Sequence, residues 1–327
     1  MAAASPATKS PEKVVPVRTC EKTGTEIHLC YDTFGDASNP PIVLIMGLNG
    51  QMVMWDEDFC QRLADKGFYV LRFDNRDTGN STKIEKPAPD PLSHALPWWL
   101  QWWRTEEPYT LNCMAQDTWA LVDKVCGAGS KVSFFGISMG GMIAQCATLL
   151  KPERVTSLVS MMSTTGAPDL PEASIWVKLE LTKKPKSLSV EDRTEFRLGL
   201  MKTVLAKGCP LDEDQVRRNS KITAERSDYI KGFPRHLAAI MRAPNRDVLF
   251  RELGPKAPPT LVLHGAKDVL VLPACGRRTA EVVHGAKYVE YADAGHHINP
   301  SHFDIIAEDV AGFVLRNGAA PSLAQTA

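Results

Sequence analysis

Five consecutive residues, Gly136-Ile137-Ser138-Met139-Gly140, have the spacing with which a serine does nucleophilic chemistry. Glycines two positions to either side allow a turn too tight for larger side chains, and that turn holds the central hydroxyl out from the chain. A hydroxyl is a poor nucleophile until a base takes its proton, and the usual base is a histidine steered by a carboxylate. Asp268, in His264-Gly265-Ala266-Lys267-Asp268, and His296, in Ala294-Gly295-His296-His297, offer the two groups further along the chain. Together such residues perform acyl transfer: the hydroxyl attacks a carbonyl, an acyl-enzyme forms, and water releases it. No metal or cofactor is required.

Other residues compete for these roles. His297 adjoins His296, but the position after glycine favours His296 as the base. His264 ends an apolar run before a glycine and reads as a structural histidine. Asp293 shares a loop with His296 and is the weaker candidate for the acid. Asp74, Arg76 and Asp77 read as a buried turn held by hydrogen bonds and an ion pair.

The elements that must position these groups are visible as a rhythm. Short, nearly all-apolar runs at 41–46, 68–73, 131–136, 155–160, 260–264 and 288–291 suit central strands of a mostly parallel sheet covered on both faces. Helical patterns at 54–66, 113–125, 138–150 and 303–315 fall between or after them, so the fold class is α/β with helices on both sides of the sheet. Ser138 then lies between a strand and a helix, and Asp268 and His296 each follow a strand. Residues 26–31 alternate as a half-exposed strand does and are assigned to an antiparallel sheet edge. From 166 to 254 the rhythm breaks into charged amphipathic stretches, notably 190–206 and 212–222, without a convincing strand. That interval reads as a helical cap over the carboxyl edge of the sheet. The expected organisation is a disordered tail at 1–20, a core in two parts at 21–165 and 255–317, the cap at 166–254, and a second tail at 318–327.

Composition narrows the partners. Lys plus Arg is 38 and Asp plus Glu is 38, which gives no electrostatic reason to expect nucleic acid. A small, largely apolar ligand fits a neutral chain better. The eight cysteines are scattered without a Cys-x-x-Cys pair or zinc-ligand spacing, so free thiols in the cytoplasm are expected. No run approaches the ~20 apolar residues of a membrane span, and the first residues lack the layout of a secretory signal. Trp98, Trp99, Trp102 and Trp103 crowd one segment. The plain reading is a short helix packed on the cap; the sharper one is an apolar pocket wall at Trp98 and Trp102, or a peripheral contact with lipid.

Leu44-Ile45-Met46-Gly47-Leu48, Arg72-Phe73-Asp74-Asn75-Arg76-Asp77 and the serine turn resemble the α/β-hydrolase family, over nearly all of residues 25 to 316. The resemblance is strongest to the branch holding the aclacinomycin methylesterases and related bacterial esterases and lipases. It implies the α/β-hydrolase fold, with Ser138 as nucleophile, Asp268 as acid and His296 as base. It also implies oxyanion donors at the Leu48 and Met139 backbone N–H groups, elbow glycines at Gly136 and Gly140, and Asn49 on the substrate wall. One departure is Met46-Gly47, where many members have His-Gly; the turn glycine is kept. A serine argues against the epoxide-hydrolase and haloalkane-dehalogenase members, which need a carboxylate there. The expected reaction is hydrolysis of a small-molecule carboxylic ester. The same groups also serve thioesters, amides, carbon–carbon cleavage and perhydrolysis, and a small-molecule receptor on the same fold is the alternative from another class.

Overall fold

Side chains along the central strands alternate between two apolar layers, one on each face of the sheet. In β3 (Pro41–Ile45), Ile42 and Leu44 join one layer while Val43 and Ile45 join the other. Phe134 and Phe135 divide in the same way later in the chain. The computed structural model describes residues 9–88, 106–227 and 229–318. Trp98 and Trp102 lie outside the described residues.

Two strands precede β3, namely β1 (Lys13–Thr19) and β2 (Glu26–Phe34). After it come α1 (Glu57–Asp65), β4 (Tyr69–Phe73), α2 (Leu111–Val125), β5 (Val132–Ile137), α3 (Met139–Leu150) and β6 (Val155–Met161). Five helices follow without a strand: α4 (Ile175–Thr182), α5 (Val190–Val204), α6 (Glu213–Arg226), α7 (Phe233–Met241) and α8 (Arg246–Leu253). The chain then forms β7 (Thr260–Gly265), α9 (Pro273–Val282), β8 (Lys287–Tyr291) and α10 (Phe303–Gly318). Several helices begin at a side-chain cap that satisfies an end N–H: Asp56 for α1, Thr110 for α2, Ser189 for α5, Asp212 for α6 and Asn245 for α8.

The eight strands form one sheet in the order β1-β2-β4-β3-β5-β6-β7-β8. The pairs β1–β2 and β2–β4 are antiparallel and all the others parallel. Helices α2 and α3 cover one face with Trp119 and Ile143, and α1 and α10 cover the other with Phe59 and Ile306. Two expectations need correction. The strand at 26–31 is not the sheet edge, because β1 lies outside it. Residues 1–20 are not a tail throughout, because β1 occupies 13–19. Pro16 hid this strand; it sits where the register shifts, on an edge where its missing N–H costs no central ladder bond.

Helices α4 to α7 lie between β6 and the last two strands, and α8 packs against α3 and α9. The turn after β4 is where core and cap meet, and three carboxylate–guanidinium pairs hold it. Arg76 takes Asp117 of α2 at 2.7 and 2.8 Å, Asp77 takes Arg235 of α7 at 2.8 and 2.9 Å, and Asp74 takes Arg226 of α6 at 3.0 Å. The expected buried turn is present, but its partners come from three helices far away in sequence. Asp77 is fully buried and has a left-handed φ of 66°. Removing Arg235 therefore strands a buried carboxylate. Arg235→Met is expected to destabilise the protein by about 3–5 kcal/mol, read as a fall in the urea midpoint; an unchanged midpoint would show that the pair does not hold the cap. Among the described residues no helix is long and apolar enough to cross a membrane.

Candidate active site

The serine turn is built as its glycines require. Ser138 has φ 56° and ψ −123°, a conformation that L side chains rarely adopt and that persists only when its surroundings enforce it. Those surroundings are close. The Ser138 N–H donates to the Met161 carbonyl at 2.9 Å, and the Ser138 carbonyl accepts from Gly141 N–H at 2.9 Å and from the Ser163 hydroxyl at 2.8 Å. A Cβ on Gly136 would fall 2.1 Å from the Gly140 carbonyl oxygen, and one on Gly140 would fall 2.0 Å from that of Ile45. Only glycine fits either place. The turn lifts Ser138 to the N-terminus of α3, where Met139 is the first helical residue and its N–H has no acceptor inside the helix.

The turn after β3 runs directly beside it. A Cβ on Gly47 would lie 3.2 Å from Ser138 Cβ and 3.7 Å from its Oγ. Gly50 N–H closes this turn on the Gly47 carbonyl at 3.1 Å, and the Asn75 amide holds the Met46 carbonyl at 3.0 Å. Asn49 has φ 53°, and its backbone N–H donates to Nδ1 of His236 at 3.2 Å. His236 is fully buried on α7, and its Nε2 donates to the Arg76 carbonyl at 2.8 Å. These two partners fix one neutral tautomer, and burial lowers the imidazole pKa, which keeps it neutral. Nothing in the sequence marked His236, because its partners lie 187 and 160 residues away. His236→Phe keeps an aromatic ring and removes both nitrogens. Its expected effect is a kcat about tenfold lower with KM little changed, since a loop misplacement of about 1 Å suffices for such losses; unchanged kinetics would remove His236 from the account.

Asp268 and His296 follow β7 and β8, and Asp268 Oδ2 accepts from His296 Nδ1 at 2.6 Å. The other carboxylate oxygen, Oδ1, accepts from the backbone N–H groups of Leu270 and Val271, each at 2.9 Å. Asp268 is 2% exposed. Burial alone would raise its pKa, but the His296 charge and hydrogen bonds from His264 and His296 hold it at about 2. His264 donates from Nε2 to the Val271 carbonyl at 2.7 Å and lies 3.4 Å from Asp268, which agrees with a structural histidine bracing the acid loop.

The two other candidates are not bonded to Asp268. Asp293 binds His302 at 2.9 Å. His297 has an unpartnered Nε2, and its pKa falls to about 4, first through burial and then through Arg197.

Ser138, Leu48, Asn49, His296 and His297 line one cavity of about 330 Å³, roofed by α5 and α6. Its floor is core and its roof is cap. Among the described residues four non-glycine residues have positive φ: Asn49, Asp77, Ser138 and Met162. Three of them lie in the turns just described, and Met162 adjoins the Ser163 that holds Ser138. Strain of this kind is concentrated in the turns that line the cavity. Among the described residues no group of three or more His, Cys, Asp or Glu is arranged to hold a metal, and all eight cysteines are free thiols.

The strained serine at a strand–helix junction thus shares a cavity with the histidine of an Asp–His pair that follows the last two parallel strands. A family profile described as alpha/beta hydrolase fold matches residues 40–303, and the chain belongs to that family. Among its relatives is the rhodomycin D methylesterase DauP of Streptomyces sp. (strain C5), 26% identical over 84% of this chain and 90% of that protein. The rhodomycin D methylesterase DnrP of Streptomyces peucetius is 25% identical with the same coverage. A thermophilic esterase from Thermogutta terrifontis superposes with a TM-score of 0.68 at 20% identity, covering 94% of this chain and 99% of that one, and so shares the fold.

Proposed function

We propose that the chain hydrolyses carboxylic esters of a small molecule through an acyl-enzyme on Ser138, with His296 as base and Asp268 as the acid that orients it. The observation that carries this reading is the 2.6 Å bond from His296 to a fully hydrogen-bonded, buried Asp268, with His296 sharing the cavity of the strained Ser138. Because Asp268 holds Nδ1–H, Nε2 of His296 is the unprotonated nitrogen that accepts the Ser138 proton. The oxygen charge that develops on attack falls beside the α3 N-terminus, where Met139 N–H serves as one donor. The second donor is Leu48 N–H, since the neighbouring Asn49 N–H is already committed to His236. His296 then protonates the leaving alcohol and activates the water that releases the acid. The likeness to methylesterases supports a small alcohol as leaving group.

A panel of methyl and p-nitrophenyl esters graded by acyl length tests the reaction. Turnover that rises for acyl chains sized to the cavity is expected. Tight binding of the same compounds without any turnover would overturn it in favour of a receptor.

A further inference from the structure

The charges around the cavity are one-sided. The whole chain balances 38 basic against 38 acidic residues, yet the described part of the cavity wall holds Lys183, Lys184, Arg193 and Arg197 and no aspartate or glutamate. Helix α5 sorts its charges accordingly. Arg193 and Arg197, one turn apart, line the cavity together with Phe196 and Leu200, while Glu191 and Glu195 are exposed and Glu195 takes Arg217.

Arg193 is tied to backbone, donating to the carbonyls of Ala224 at 3.0 Å and of Ser227. Arg197 is placed differently. Its guanidinium rests on the Met54 sulfur, a weak acceptor. Burial and the neighbouring Arg193 push its pKa down to about 10 with no carboxylate among the described residues offsetting them, so it is still a cation at neutral pH. One possible donor on the same wall, the Ser220 hydroxyl, is buried without a hydrogen-bond partner, and Ser220 is 3% exposed. A half-buried cation without a counter-ion among the described residues is costly in a folded protein. A planar guanidinium fits a carboxylate through two parallel hydrogen bonds.

We propose that Arg197 anchors a carboxylate on the substrate, at the end remote from the ester. The substrate class is then a monoester of a short dicarboxylic acid: its ester carbonyl at Ser138, its free carboxylate at Arg197, its methylenes along the apolar wall between them. This deepens the ester-hydrolase reading and rests on it for the place of the ester. The volume of about 330 Å³ accommodates an acid of this size.

The test uses monomethyl glutarate and methyl valerate, which differ by the carboxylate alone. In the wild-type protein the ratio of kcat/KM for the acid ester over the neutral one is expected to be about 10 to 100. Arg197→Gln should bring that ratio close to one, and Arg197→Lys should retain part of it. Equal ratios in wild type and Arg197→Gln would overturn the proposal. Binding to Ser138→Ala separates this outcome from failure of the hydrolase reading, because it needs no turnover. A preference for monomethyl glutarate that Arg197→Gln removes upholds the anion site even if no ester is cleaved, and indifference between the two compounds refutes it.

Discussion

Ser138→Ala is expected to lower kcat by on the order of 10⁶-fold, to the residual level set by binding and the oxyanion donors. The fold should survive, because alanine keeps the Cβ and removes only Oγ. The backbone contacts that hold residue 138 at φ 56°, from Met161, Gly141 and Ser163, do not involve the hydroxyl. The urea midpoint should be little changed, because the backbone conformation and its hydrogen bonds are kept. Substrate affinity should persist, since the cavity walls are intact. A variant retaining more than about a hundredth of the activity would show that another group does the chemistry.

Asp268→Asn has the second-largest expected effect, about 10⁴-fold in kcat. The loss follows from the way the amide must face. Oδ1 already accepts two backbone N–H bonds, from Leu270 and Val271, so the asparagine oxygen stays there and its NH₂ is turned toward His296. Nδ1 must then accept, the proton moves to Nε2, and the base faces Ser138 in the wrong tautomer. The substitution also removes a pH dependence of stability. The Asp268 carboxyl, held at about 2 in the folded protein, lies below its ordinary value of 3.8. Its stabilisation is therefore complete above about pH 4 and is lost as the pH falls toward 2, a difference of about 2 kcal/mol. The wild type should show this acid slope and Asp268→Asn should lack it. Equal slopes would place the buried charge elsewhere.

What the chain revealed in advance is local in character. The central strands were legible because a strand buried on both faces is an unbroken apolar run, and β3 and β5 appear close to their expected bounds. The serine turn was legible because its two glycines and its serine stand within five residues, although the clash that forces Gly140 comes from Ile45 on another strand. Asp268 and His296 were legible as polar residues just past strand ends. The rest depends on encounters between distant segments. Lys13–Thr19 is a strand only because β2 offers it an edge, and its proline argued against a strand. The links from Asp77 to Arg235 and from Asn49 to His236 span more than 150 residues and leave no periodic mark. The direction in which α5 turns Arg197 was hidden for the same reason: a charged helix in sequence does not say which of its charges will line a cavity.

If Ser138 is the nucleophile of an acyl-transferring site, a fluorophosphonate probe will find it. One probe per chain is expected, located by peptide mass spectrometry on the peptide that contains Ser138, absent from Ser138→Ala and much slower in Asp268→Asn. No reaction with the probe, or labelling that persists in Ser138→Ala, would contradict the account.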